Sequence, residues 1–241
     1  MVKQAVYKRK RGFQLKNVTL KLLAINVFIF LVQVSVPRFT DMFALVASDV
    51  ASRPWMLFSA MFLHGSFAHL LFNMYALFLF GSLIERKIGS KRFLLAYLIS
   101  GIAASLIFAL ATPEGVAVGA SGAIMAILGL VIMLMPDLQV LFFFVVPMSM
   151  RTAGIIFAII DLVGFVSGSS GIAHIAHLAG LACGLAYGYY LKKKKKQFGR
   201  NFGNRGSQYR QSARRGPYYD NERTIELTKD DVDNYFKYGK L

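Results

Sequence analysis

Ser121 stands between glycines, in Gly119-Ala120-Ser121-Gly122, at the head of an apolar run that stops at Pro136-Asp137. A serine hydroxyl is a weak nucleophile unless a neighbouring base takes its proton. Histidine titrates near neutrality and suits that task. The chain has four, His64, His69, His174 and His177. His69 and Asn73 are spaced i and i+4, and His174 and His177 i and i+3, so each pair shares a helix face. Acyl transfer also needs donors where a carbonyl oxygen becomes charged. The Asn73 amide, the His69 imidazole and the Ser121 backbone N–H could supply them. The expected constellation is therefore Ser121, His177, His69 and Asn73. A lone Asn or His in a span is as often helix–helix glue as a site, but four such groups at one depth favour a site.

The elements that must position these groups are membrane helices. The 241 residues are 56% hydrophobic, with a mean hydropathy of +0.50, a multi-span composition rather than a soluble core. Six spans are expected, at 20–36, 67–84, 93–111, 121–135, 152–167 and 172–191, giving an all-α, polytopic six-helix bundle. The first is weakened by Lys21, Asn26 and Gln33, and the fifth is short. Val34-Ser35-Val36-Pro37 is not a small-x-small cleavage site, so the first span is read as retained. Fifteen residues from Ser121 to Met135 reach roughly 22 Å as a helix, against a hydrocarbon core of roughly 30 Å. With Pro136-Asp137 at one interface, Ser121 lies below the opposite surface. Residues 112–120 would then dip into the membrane to meet it.

The charge of +16 is placed rather than spread. Of 28 Lys and Arg, six lie in residues 1–16, four at Arg86, Lys87, Lys91 and Arg92, and fourteen in residues 192–241. The loops at 37–66, 112–120 and 168–171 hold only Arg38 and Arg53. Six spans with both termini cytoplasmic satisfy the positive-inside rule, which puts the Ser121 end on the outer side of a cell membrane. Topology thus accounts for the basic charge without nucleic acid. The domain reading is a basic cytoplasmic N-terminus at 1–17, a membrane core at 18–191, and a basic, largely disordered cytoplasmic tail at 192–241. Within that tail 197–222 reads as disordered and 224–236 as a short polar helix. Lys192 to Lys196 could hold anionic headgroups or simply signal topology. The apolar stretch 140–146 is expected along the inner interface. Cys183 is the single cysteine, which excludes an intrachain disulfide.

Helix packing should close the site. Gly180, Gly184 and Gly188 follow His177 at +3, +7 and +11, a GxxxGxxxG stripe beneath the histidine. Gly122, Ala126 and Gly129 form a small face on the fourth span. Small residues let helix backbones approach closely in lipid. Packing the two faces brings His177 towards Ser121.

These residues resemble the rhomboid family of intramembrane serine proteases. The similarity runs over roughly 18–191. It rests on Gly119-Ala120-Ser121-Gly122 (GxSG), His69-Leu70-Leu71-Phe72-Asn73 (HxxxN) and Ala176-His177-Leu178-Ala179-Gly180 with the glycines that follow, on the second, fourth and sixth spans. Residue 123 is Ala, so the motif is not the GxSxG elbow of soluble hydrolases. The resemblance implies a Ser121–His177 dyad, with His69, Asn73 and the Ser121 N–H as oxyanion hole and no cofactor. It implies membrane-spanning substrates cut near the outer end of their span. Two positions depart from the family. Trp55 is followed by Met56 where Trp-Arg is common, with Arg53 before it. Met125 stands where many members have Tyr on the catalytic histidine, and its sulfur could pack on the imidazole. No acidic third member is evident. Asp161 reads as a hydrogen-bonded or protonated packing residue rather than a histidine orienter.

Water must reach the site, so an outward cavity lined by His64, His69 and Asn73 is expected. The loop Ser167-Gly168-Ser169-Ser170-Gly171 is expected to cap it and to move with the fifth helix. Two other readings compete. A divalent-metal transporter would use the four histidines but leaves Ser121 unexplained. An inactive relative that only binds membrane segments should lack Ser121 or His177, and both are present.

Overall fold

The computed structural model describes residues 16–142, 146–168 and 173–213. All six expected spans are helices. They are α1 (Val18–Ser35), α2 (Phe67–Ile88), α3 (Ser90–Ala111), α4 (Ser121–Leu134), α5 (Met150–Val166) and α6 (His174–Ala213). The molecule is an all-α, multi-pass membrane protein. By length and composition α1, α2 and α3 can cross a membrane, with 18, 22 and 22 residues, whereas the apolar helix α4 is shorter. A helix apolar on every face can be enclosed by protein or face lipid. Here α4 is enclosed and forms the centre of the bundle, with Gly122 through Val131 all buried. Its Ile127, Leu130 and Val131 join Leu77 and Ile84 of α2, Phe93 and Tyr97 of α3 and Leu181 of α6 in one core.

Close approach of α4 and α6 follows from the small residues. A Cβ on Gly180 would overlap the Gly122 carbonyl oxygen, and one on Gly184 the Ala126 carbonyl oxygen. A Cβ on Gly129 would come within 2.7 Å of the Leu181 oxygen. The two backbones touch along this stripe because no side chain separates them.

At the other end of the bundle, the start of α1 leaves backbone N–H groups without helical partners. Glu85 of α2 satisfies them, accepting from Val18 N and Thr19 N at 2.8 Å each and from Thr19 Oγ1 at 2.7 Å. Ser90 Oγ also donates to Glu85.

The long segment between α1 and α2 is built, not slack. It carries short helices at Phe39–Phe43 and Met56–Ser59. Its strand β1 (Leu45–Val46) pairs antiparallel with β2 (Val116–Ala117), two residues before Gly119. Gly119 N donates to the Ala60 oxygen at 2.9 Å. These bonds hold the approach to Ser121 against the first loop. Trp55 is half exposed and its Nε1 donates to the Met42 oxygen at 3.4 Å, while Arg53 pairs with Asp49. Between α4 and α5, β3 (Gln139–Phe142) pairs antiparallel with β4 (Val146–Ser149). The described residues of the stretch expected at the inner interface, 140–142 and Val146, thus lie in a two-stranded ribbon.

Helix α6 continues through Lys192 to Lys196 and on to Ala213, where disorder was expected from 197. Lysine is a good helix former and does not interrupt the helix it follows. The remaining tail, including the short helix expected at 224–236, lies outside the described residues. So do Ser169, Ser170 and Gly171 of the expected cap.

Candidate active site

Ser121 is the first residue of α4, so its backbone N–H has no helical acceptor and stays available. Gly119 before it adopts φ +130°, a conformation that side chains rarely take. A Cβ there would also lie 2.8 Å from His69 Cε1 and 2.9 Å from His69 Nε2. Glycine is needed twice over, for the turn and for the imidazole against it.

His177 Nε2 is 2.7 Å from Ser121 Oγ. His177 Nδ1 is 2.9 Å from Asp161 Oδ1, and His174 Nδ1 is 2.8 Å from the same oxygen. The side chains of His177, Asp161 and His174 are 18%, 7% and 7% exposed, so the chain of bonds is nearly closed to solvent.

His69 is placed by helix capping. Ser66, the N-cap of α2, accepts from His69 N at 3.1 Å. Gly65 N donates to His69 Nδ1 at 3.4 Å. An Nδ1 that accepts leaves the proton on Nε2, the ring nitrogen beside Gly119. His69 is therefore poised as a donor next to Ser121. Asn73 Nδ2 gives one proton to the His69 carbonyl at 2.9 Å and retains a second. A small cavity of about 30 Å³ adjoins Ser121, lined by small residues including Ala60, Gly101, Ala104, Gly122 and Ala176.

A family model described as the rhomboid domain matches residues 51–194, more than half of the chain. This chain belongs to the rhomboid family. Among its relatives, the mitochondrial Rhomboid protein 1 of Saccharomyces cerevisiae is 33% identical across 74% of this chain. The Rhomboid protease GluP of Bacillus subtilis is 47% identical across 31% of it. The mitochondrial RHOMBOID-like protein 6 of Arabidopsis thaliana is 41% identical, also across 31%. The matched segments span 54%, 15% and 24% of those relatives' own lengths.

Within this rhomboid core the structure brings Ser121, His177 and His69 together, with Asn73 bonded beneath His69. Gly122, Gly180 and Gly184 lie in the α4–α6 contact, and Met125 is buried in the core. Two expectations need correction. The first concerns Asp161: it is hydrogen-bonded, as expected, but its partners include the His177 ring. It accepts hydrogen bonds from His177 and His174, because an inward carboxylate in an apolar bundle needs donors. The second concerns the outward cavity. His64 and Asn73 are buried at 1% and 7% exposure, and only His69 of the three is partly open. Both are packed in the interior rather than facing an open outward cavity.

His64 is unusual. Neither ring nitrogen has a hydrogen-bond partner among the described residues, and the ring lies edge-on to His69 at 5.2 Å. Burial, then the neighbouring His69 imidazole, push its pKa down to about 4, against a weaker pull from the Phe62 backbone. Gln33 of α1 fixes its backbone, accepting from His64 N at 3.0 Å and donating to the His64 oxygen at 2.9 Å. In the sequence Gln33 registers only as a weak point of the first span. A polar residue in a membrane helix is usually a bond across helices, and that was its signal.

Asp161, His174 and His177 also form a group whose donor atoms lie within 4.8 Å of one another and could ligate a metal. As built, each of those atoms is already matched as hydrogen-bond donor or acceptor. The arrangement needs no ion to be satisfied.

Proposed function

We propose that this chain is an intramembrane serine endopeptidase that cleaves transmembrane substrates near the outer end of their span. The 2.7 Å approach of Ser121 Oγ to His177 Nε2 carries the reading. The core would sit in the cell membrane with both termini cytoplasmic and the Ser121 end facing outward.

A substrate helix enters from the lipid and unwinds locally, because a helical peptide bond is shielded from attack. Helix-weak residues lower that cost. Ser121 Oγ then attacks the exposed carbonyl carbon while its proton passes to His177 Nε2. The carbonyl oxygen becomes an oxyanion held by the Ser121 N–H, His69 Nε2–H and the second Asn73 amide proton. Collapse breaks the C–N bond, with His177 returning the proton to the leaving amine. Water then hydrolyses the acyl-enzyme by the same route. The loop around Gly168 and the outer end of α5 act as cap and gate. Lys192 to Lys196 hold anionic lipid headgroups at the cytoplasmic face.

The test is cleavage of a single-span substrate in liposomes by purified wild type and Ser121→Ala, with EDTA present. Cleavage by wild type alone is expected. Equal cleavage by both proteins refutes the nucleophile. Loss of wild-type cleavage on chelation favours a metal-dependent reading.

A further inference from the structure

We propose that Asp161 is a positioning residue that extends the Ser121–His177 pair into a triad, and that His174 holds its carboxylate in register. This rests on the serine-protease reading above. It also departs from the two-residue machinery that the family resemblance implies.

Helix α5 buries only Met150, Ala153, Gly154 and Asp161. Its Ile155, Ile159, Ile160, Leu162 and Val163 are all exposed on the protein surface, and Asp161 is buried among them at 5% exposure. Burying a carboxylate is costly unless donors meet it. Here two do, and both reach the same oxygen, from His177 Nδ1 at 2.9 Å and His174 Nδ1 at 2.8 Å. An ionised carboxylate only accepts. Each imidazole must therefore carry its proton on Nδ1 to make the bond. For His177 that choice leaves the Nε2 lone pair facing Ser121 Oγ, the tautomer a general base requires. The imidazolium formed when Nε2 takes the serine proton is then neutralised by the adjacent Asp161 charge. Asp161 stays ionised throughout and receives no proton.

His174 contributes in a different way. It touches neither Ser121 nor the reacting carbonyl. Its Nδ1–H occupies a lone pair of Asp161 Oδ1 and limits how the carboxylate can rotate. Space for its ring is made on α5 itself, since a Cβ on Gly164 would overlap the His174 imidazole. Gly164 lies three residues after Asp161, on the same helix face. The pairing of acid and glycine at i and i+3 is thus a receptor for the two histidines, themselves at i and i+3 on α6. Because the carboxylate rides on α5 and the base on α6, the histidine is fully oriented only while those helices are packed.

The experiment is steady-state cleavage in liposomes by the full chain and its Asp161→Asn and His174→Asn variants. Thermal unfolding and the rate of labelling by a serine-reactive phosphonate are measured in parallel. Asp161→Asn keeps the shape and removes the charge. Its kcat should fall by at least roughly 10²-fold, towards the loss of about 10⁴-fold that neutralising the acid of a serine triad causes. KM should stay within about twofold, and phosphonate labelling should slow with kcat. His174→Asn retains a donor and should lose about tenfold in kcat. An Asp161→Asn kcat within about threefold of wild type, or a loss confined to KM, overturns the proposal. If Asp161→Asn does not fold, His174→Asn decides, and an unchanged kcat there overturns it equally. Absence of both cleavage and labelling in the wild type refutes the serine-protease reading itself, and this proposal with it.

Discussion

Ser121 Oγ and His177 Nε2 lie 2.7 Å apart although 56 residues separate them in the chain. What closes that gap is the contact between α4 and α6, where the Gly180 position meets the Gly122 carbonyl and Gly184 meets that of Ala126. The Ser121–His177 distance is set by glycines that lie in this helix contact.

Widening that contact should therefore disable the site. Gly180→Val places three carbons where the Gly122 carbonyl stands, and overpacking of this kind costs about 1–3 kcal/mol or more. Thermal unfolding in detergent should show the destabilisation. Phosphonate labelling of Ser121 should fall at least about tenfold in whatever protein remains folded. Labelling at the wild-type rate would show that helix spacing does not set the Ser121–His177 geometry.

Removing the His69 donor should act on the rate and not on the nucleophile's access. His69→Ala is expected to lower kcat by roughly 10²–10³-fold, the cost of one oxyanion donor. Asn73→Ala should reduce kcat too, since it removes the amide that supports the His69 carbonyl and offers a second donor. A His69→Ala variant that loses only KM would remove the residue from the oxyanion hole.

His64 gives the fold a pH dependence of definite sign. Its folded pKa of about 4 lies below the ordinary 6.5, so the fold favours the neutral ring. That contribution is present in full above about pH 6.5 and is lost progressively as the pH falls towards 4. The span corresponds to about 3 kcal/mol. Thermal midpoints of wild type and His64→Asn should thus converge, or cross, between pH 6.5 and 4. Parallel curves through that range would rule out a buried neutral His64.

Glu85 should matter at the far end of the bundle. Glu85→Ala strands the N–H groups of Val18 and Thr19 at the start of α1, a loss of about 1–3 kcal/mol. Unfolding should begin earlier, while the activity of the folded fraction stays near wild type. A change in kcat with unaltered stability would contradict a purely anchoring role.

Most of the frame was legible in the chain because membrane helices declare themselves by length and apolar content. The second span was read as 67–84 and runs to Ile88, since charged Arg86 and Lys87 still fit a helix end. The Ser121, His69 and His177 set was legible because local spacing and glycine flanks mark it. Asp161 was not. It meets His177 from another helix, 16 residues earlier, and a contact between helices across a turn leaves no periodic trace. Gly164 at i+3 was the one local hint. Gln33 misled for a related reason: its partner, the His64 backbone, lies 31 residues away. The burial of His64 and Asn73 was missed because polar residues were assigned to a water-filled cavity, whereas here both are packed in the interior.

The most direct test of the central claim is where a serine-reactive phosphonate attaches. Intact-mass and peptide mapping of the labelled wild-type protein should find one adduct, on the peptide containing Ser121. That adduct should be absent from Ser121→Ala and strongly reduced in His177→Ala. An adduct on another residue, or equal labelling of Ser121→Ala, would contradict the account.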